Sequence, residues 1–168
     1  MLTGFFLLMS CLRCTEDHAR PSDRSGNSGD ICKKDTKSGL IPDYNALFDS
    51  ILNKEISVTE NPDNFDALSE LFETAFIKKM CEYLVVGIGA ADRKTPDNTI
   101  QRITQKKSAN ASANRWAMFL KTYHTGNNLA YGSPVPGRIM YSRTIKQRTS
   151  RDTLYILKSI PVSSIVLY

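Results

Sequence analysis

FDALSELFETAFIKKMCEYLVV, residues 65–86, is the clearest pattern in this 168-residue chain. Leu68, Leu71, Phe72, Ala75, Phe76, Met80, Tyr83 and Leu84 recur at spacings of three and four, and Asp66, Glu70, Glu73, Lys78 and Glu82 fall elsewhere. That period is the one an amphipathic helix needs to bury a single stripe. Asn61-Pro62-Asp63 breaks the chain just before it, and Asp63 or Asn64 offers an N-cap. The spacing therefore predicts one helix from Phe65 to about Val86, its aromatic and Met stripe facing another helix, and with it a mainly α fold.

Upstream, Asp43 is placed to cap a first helix in which Tyr44, Leu47, Phe48, Ile51 and Leu52 form the apolar side. Residues 15–39 are rich in Ser, Asp, Gly, Lys and Arg and read as a linker or arm. The first twelve residues are apolar, as in the core of a secretory signal. However, no Lys or Arg precedes them, and Arg13 and Glu16 crowd the cleavage position. A run of that length is too short to span a membrane. Downstream, Gly87 and Gly89 let the helix stop, and residues 90–105 read as a second linker. The Gly87-Ile88-Gly89 string lacks the further glycine or Gly-Lys-Ser/Thr of a phosphate loop.

A third element follows at KKSANASANRWAMFLKTYH, residues 106–124. Asn114 is expected to cap a helix whose apolar side is Trp116, Phe119, Leu120 and Tyr123, and Gly126-Asn127-Asn128 is expected to end it. Beyond it, loop precedes β-leaning runs at 139–145 and 154–168, the second interrupted by Pro161. The organisation expected is an apolar N-terminus and linker (1–40), a short helical unit (41–88), a linker (89–105), and a basic region (106–168) ending in a poorly ordered tail.

Charge divides the chain. Residues 1–100 carry 11 Lys or Arg against 16 Asp or Glu, a balance of −5, while residues 101–168 carry 11 against one, a balance of +10. Clustered cations gain free energy by displacing counterions from phosphates, so a nucleic acid is the partner expected of the basic half. Within it Lys106, Lys107, Arg115 and Lys121 are candidates for phosphate contact, and Asn114 for a base edge. Catalysis is not expected, because the only histidines are His18 in the linker and His124 at a helix end. Cys11 and Cys14 have no second Cys-x-x-Cys pair to complete a zinc site, so neither a metal nor another cofactor is expected.

The string from Asn114 through Trp116 and Phe119 to Tyr123 resembles the opening helix of the alpha-box of fungal mating-type transcription regulators, a family related to high-mobility-group boxes. The resemblance covers ten to twenty residues around 106–124. Leu120 stands where the family has Arg, and no second and third box helices are visible in 126–168. It implies a truncated or divergent DNA-binding box with Trp116, Phe119 and Tyr123 in its core. It further implies a sequence-specific regulator in the nucleus, duplex DNA as ligand, and another transcription factor as a partner for the 65–86 helix.

A different class of reading is the secreted precursor of an amidated peptide. It rests on the apolar N-terminus, the Asn110-Ala111-Ser112 sequon and Pro136-Gly137-Arg138. Cleavage after Lys107 would release residues 108–136, and Cys32 with Cys81 would form a disulfide in the pro-region. No Lys-Arg or Arg-Arg pair marks such a cut.

Overall fold

The computed structural model describes residues 32, 42–91, 97–127 and 129–168. The signal-like segment, Cys11, Cys14 and His18 lie outside them. Helix α1 (Tyr44–Glu60) starts behind Asp43, whose carboxylate accepts from the Asn45 and Ala46 amides, and it buries Phe48, Ile51, Leu52, Glu55 and Val58. Helix α2 (Phe65–Ala75) starts behind Asn64, whose side chain accepts from Ala67 N, and buries Leu68, Leu71 and Ala75.

The single helix expected over 65–86 does not form. The helix ends at Ala75, and the chain continues as strand β1 (Phe76–Ile77), a turn through Lys78–Cys81, and strand β2 (Glu82–Ala90). The helical spacing of Met80, Tyr83 and Leu84 was coincidental. Tyr83 to Val86 are all buried, so no polar side remains for a helix to turn toward water. An aromatic and β-branched run covered on both sides is the signature of a central strand. Cys81, with φ of 52°, makes the reversal.

Helix α3 (Asn98–His124) is one continuous element of 27 residues. Its cap is Asp97, which accepts from Thr99 N and Ile100 N, so Asn114 lies inside the helix and residues 98–105 are helical where a linker was expected. The C-terminal segment is ordered sheet. It comprises β3 (Gly137–Ile139), β4 (Arg143–Ser150), β5 (Thr153–Pro161), a 3₁₀ turn at Val162–Ser164 and β6 (Ile165–Leu167). An antiparallel sheet runs in the order β1-β2-β5-β4, and β3 pairs with β6 in a second ribbon. The fold is mixed α and β, which corrects the mainly α, box-like expectation.

Strand alternation assigns the faces. Lys158 reaches Asn110 on α3, and Val85, its register partner, lies on the same face as Gly87 and Gly89. A Cβ on Gly87 would sit 1.9 Å from the carbonyl oxygen of Ala109, and one on Gly89 would sit 2.1 Å from that of Gln105. Helix and strand backbones are thus in direct contact, with buried Ala109, Ala113 and Ala117 repeating every four residues along the helix. The opposite face carries Leu157 and, across from it, Lys146. Lys146 bonds Asn45, and Arg148 bonds Asp49 at 2.5 Å and covers the Phe48 ring at 4.4 Å, so α1 lies on this side. The sheet is held between α3 and α1. Trp116 is 2% exposed and stacks on Tyr131 with ring centroids 3.8 Å apart.

Two substitutions test this packing by chemical denaturation. Gly87→Ala should destabilise by at least about 3 kcal/mol, the top of the usual overpacking range, because the clashing atom is backbone and no side chain can yield. Trp116→Ala should cost about 3–5 kcal/mol through lost contacts and the cavity left beneath Tyr131. A Gly87→Ala chain as stable as the parent would mean that α3 does not sit on β2.

Candidate nucleic-acid interface

Helix α3 carries five cations and no carboxylate over its 27 residues. Arg102, Lys106, Lys107 and Arg115 are exposed. Lys107 and Arg115, eight residues apart, share one side of the helix, and Arg102 and Lys106, four apart, share another. Among the described residues none of Arg102, Lys106 or Lys107 has a carboxylate partner. Arg115 lies near Tyr131, a phenol whose ionisation is pushed up chiefly by burial and also by Glu55, against the opposing pull of the guanidinium. Four guanidinium or ammonium groups on one rigid rod, without local neutralisation, are what phosphate contact requires.

The other sequence-derived candidates point inward. Lys121 donates to the carbonyls of Val162 and Ile165, at 3.1 and 2.5 Å, and so holds the 3₁₀ turn; burial lowers its ammonium pKa. Asn114 is half-buried, and its Oδ1 is enclosed without a hydrogen-bond partner, so that oxygen is closed to a base edge. Trp116 and Phe119 are both in the core. Tyr123 packs against it, its ring 5.5 Å from that of Phe72.

Several polar features were not legible as a set. Glu55 is buried at the edge of β2 and accepts from Val86 N at 2.9 Å, taking the place of a neighbouring strand where the two-residue β1 has run out. Its second oxygen has no partner, and desolvation raises its pKa well above the usual carboxylate value. The hydroxyl of Tyr83, a fully buried residue, is hydrogen-bonded to His124 Nδ1 at 2.7 Å, inside a cage that includes Phe72 and Phe76. Burial, and then the Lys121 charge, lower the His124 pKa and favour the neutral imidazole. With Tyr83 closed to solvent, this pair ties α2 and β2 to the end of α3. Glu55, His124 and Lys158 stand far apart in sequence, and only a guess at strand pairing would have brought them to their partners.

Cys32 and Cys81 form a disulfide with Cα atoms 5.4 Å apart, closing the turn before β2 onto a residue 49 positions earlier. Among the described residues no three His, Cys, Asp or Glu side chains gather as a metal site would require, and no helix is long and apolar enough to cross a membrane. Compared with known proteins, the chain matches no family model, no curated protein and no solved structure.

The Glu55 environment sets a pH dependence. Its folded pKa lies above the unfolded value near 4.5, so its contribution is full below about pH 4.5 and is lost as pH rises toward the folded value. Glu55→Gln keeps an acceptor for Val86 N and removes the charge. The stability of the variant relative to the parent, measured by urea unfolding, should therefore increase as pH rises above about 4.5 and level off once the folded pKa is passed. A difference independent of pH would show that Glu55 is not held protonated.

Proposed function

We propose that this chain binds nucleic acid through the exposed cations of α3, by contacts to phosphates and without reading base sequence. The observation that carries this is the carboxylate-free helix with Arg102, Lys106, Lys107 and Arg115 exposed on it. Phosphate contacts position a protein on a duplex, and base contacts specify the site. Asn114, the one residue of the expected set suited to a base edge, has its carbonyl oxygen enclosed, so duplex DNA of any sequence is the ligand that fits. The proposal keeps DNA binding from the alpha-box resemblance and drops the box.

The disulfide favours an oxidising compartment, since cytosolic and nuclear thiols are held reduced. Together with the apolar N-terminus it supports an exported chain over a nuclear one. Export of this kind is distinct from processing into a peptide. Cleavage after Lys107 would cut the middle of α3, Gly137-Arg138 is paired in the β3–β6 ribbon, and the sequon residue Asn110 bonds both Lys106 O and Lys158.

Residues 32–168 should retard duplex DNAs of unrelated sequence equally. The logarithm of affinity should fall with the logarithm of salt at a slope of about −3 to −4 for four phosphates. Replacing Arg102, Lys106, Lys107 and Arg115 with Ala together should abolish retardation while leaving the melting temperature within a few degrees. Retardation that survives the fourfold variant, or that selects one sequence over others at matched salt, would overturn the proposal.

A further inference from the structure

At the end of the sheet, α3 and the β4–β5 hairpin border an open cleft of about 270 Å³. Its walls include Asn98, Gln101, Arg102 and Gln105 from the helix and Thr149 and Arg151 from the hairpin. Two guanidinium groups, three carboxamides and a hydroxyl make a lining dominated by donors. Asp152 is the carboxylate among the lining residues, which leaves the site a net charge of +1.

Two features give this cleft the character of a built site. Ser150 pairs with Thr153, so the hairpin has two connecting residues, and the first of them, Arg151, is held at φ of 52°. A two-residue hairpin connection calls for positive φ, and here Arg takes the place that Gly or Asn usually fills. The hairpin is also fixed in place. The Asp152 carbonyl accepts from Gln105 Nε2 at 2.8 Å and from Ala91 N at 2.7 Å, which pins the turn to α3 and to the end of β2. Arg151 and Arg102 therefore face one space from two elements whose separation is set before any ligand arrives.

We propose that this cleft is a binding site for a single tetrahedral oxyanion ester, a phosphate or sulfate monoester on a small molecule or chain end. Planar guanidinium groups bind such oxygens through paired N–H bonds, and the Asn98 carboxamide and the Thr149 hydroxyl add single donors. The site does not depend on DNA binding along α3: it uses Arg151 and Thr149, which belong to the hairpin.

The test is a titration of the disulfide-intact chain, followed by side-chain and amide NMR shifts, with phosphoserine in one arm and N-acetylglucosamine 6-sulfate in the other. Shifts are expected at Arg102, Arg151 and Gln105, and not at Lys107 or Arg115. If phosphate is the preferred group, affinity for phosphoserine should strengthen as pH passes its second ionisation near about pH 6, while the sulfate arm stays flat. Arg151→Gly separates binding from folding, because glycine relieves the strained φ as it removes the guanidinium. That variant should be at least as stable as the parent and bind at least about tenfold more weakly, as loss of one bidentate contact implies. Arg102→Gln should weaken binding similarly. Undiminished binding by Arg151→Gly, shifts spread over all the exposed cations, or no saturable shift in either arm would each overturn the proposal.

Discussion

The contact on which the rest of this structure depends is made between two backbones. Because Gly87 and Gly89 have no Cβ, the carbonyls of Ala109 and Gln105 approach β2 to where a side-chain carbon would otherwise be. Ala113 and Ala117 continue the same close seam toward the C-terminus of the helix. Small residues matched across a helix–sheet interface fix distance and register together, since a slide along the strand would bring the larger Val85 under the helix carbonyls that now lie over the glycines. With α3 locked there, its outer side faces water over most of its length, and its last turn meets Tyr83 and the 3₁₀ turn at Val162–Ser164.

A second constraint follows from the shortness of β1. Two residues cannot pair with a nine-residue β2, so most of that edge would be left with unpaired amides in the interior. Glu55 closes the gap from α1. A carboxyl used in this way has to be buried, and burial favours its neutral form. The alternative of a longer β1 was not open, because Phe76 and Ile77 follow directly on α2 and the chain reverses at Cys81 after only four more residues. The disulfide to Cys32 then holds that reversal from outside.

How much of this could be read beforehand depended on whether a feature is local. Helix α1, with Asp43 ahead of Tyr44, Phe48, Ile51 and Leu52, was legible because its cap and its stripe lie within a few residues of each other. Helix α2 was legible to Ala75. Past that point, the periods of helix and strand both fit Met80, Tyr83 and Leu84, and the unbroken run to Ile88 should have decided for strand. In α3 the Trp116, Phe119, Tyr123 stripe was visible. Its N-terminal half was not, because the residues that touch the sheet there are alanines and a backbone carbonyl, which carry no apolar signal. The glycines were read as stop signals when they are the seat of the helix. For the interface, Lys106, Lys107 and Arg115 were legible as exposed cations on a helix. Lys121 was not legible as an internal cap, since its acceptors Val162 and Ile165 are more than forty residues away.

The charge division of the sequence acquires a more specific meaning from the fold. The balance of +10 over residues 101–168 is not all presented to a partner. Lys121 and Lys158 turn inward to carbonyl and carboxamide oxygens, and Lys146 and Arg148 reach across the sheet to Asn45 and Asp49 of α1. Part of the asymmetry is therefore internal, the complement between one sheet face and the acidic half of the chain that covers it. Besides Lys146 and Arg148, which are engaged with α1, seven cations of this half are exposed: Arg102, Lys106, Lys107, Arg115, Arg138, Arg143 and Arg151. Four of these lie on α3, and a fifth, Arg151, sits at the hairpin pinned to it. A solvated basic tail would scatter its charges on flexible segments. Here five of them are fixed to one helix and its neighbouring turn, which is the arrangement that lowers the ordering cost of meeting a row of anionic groups.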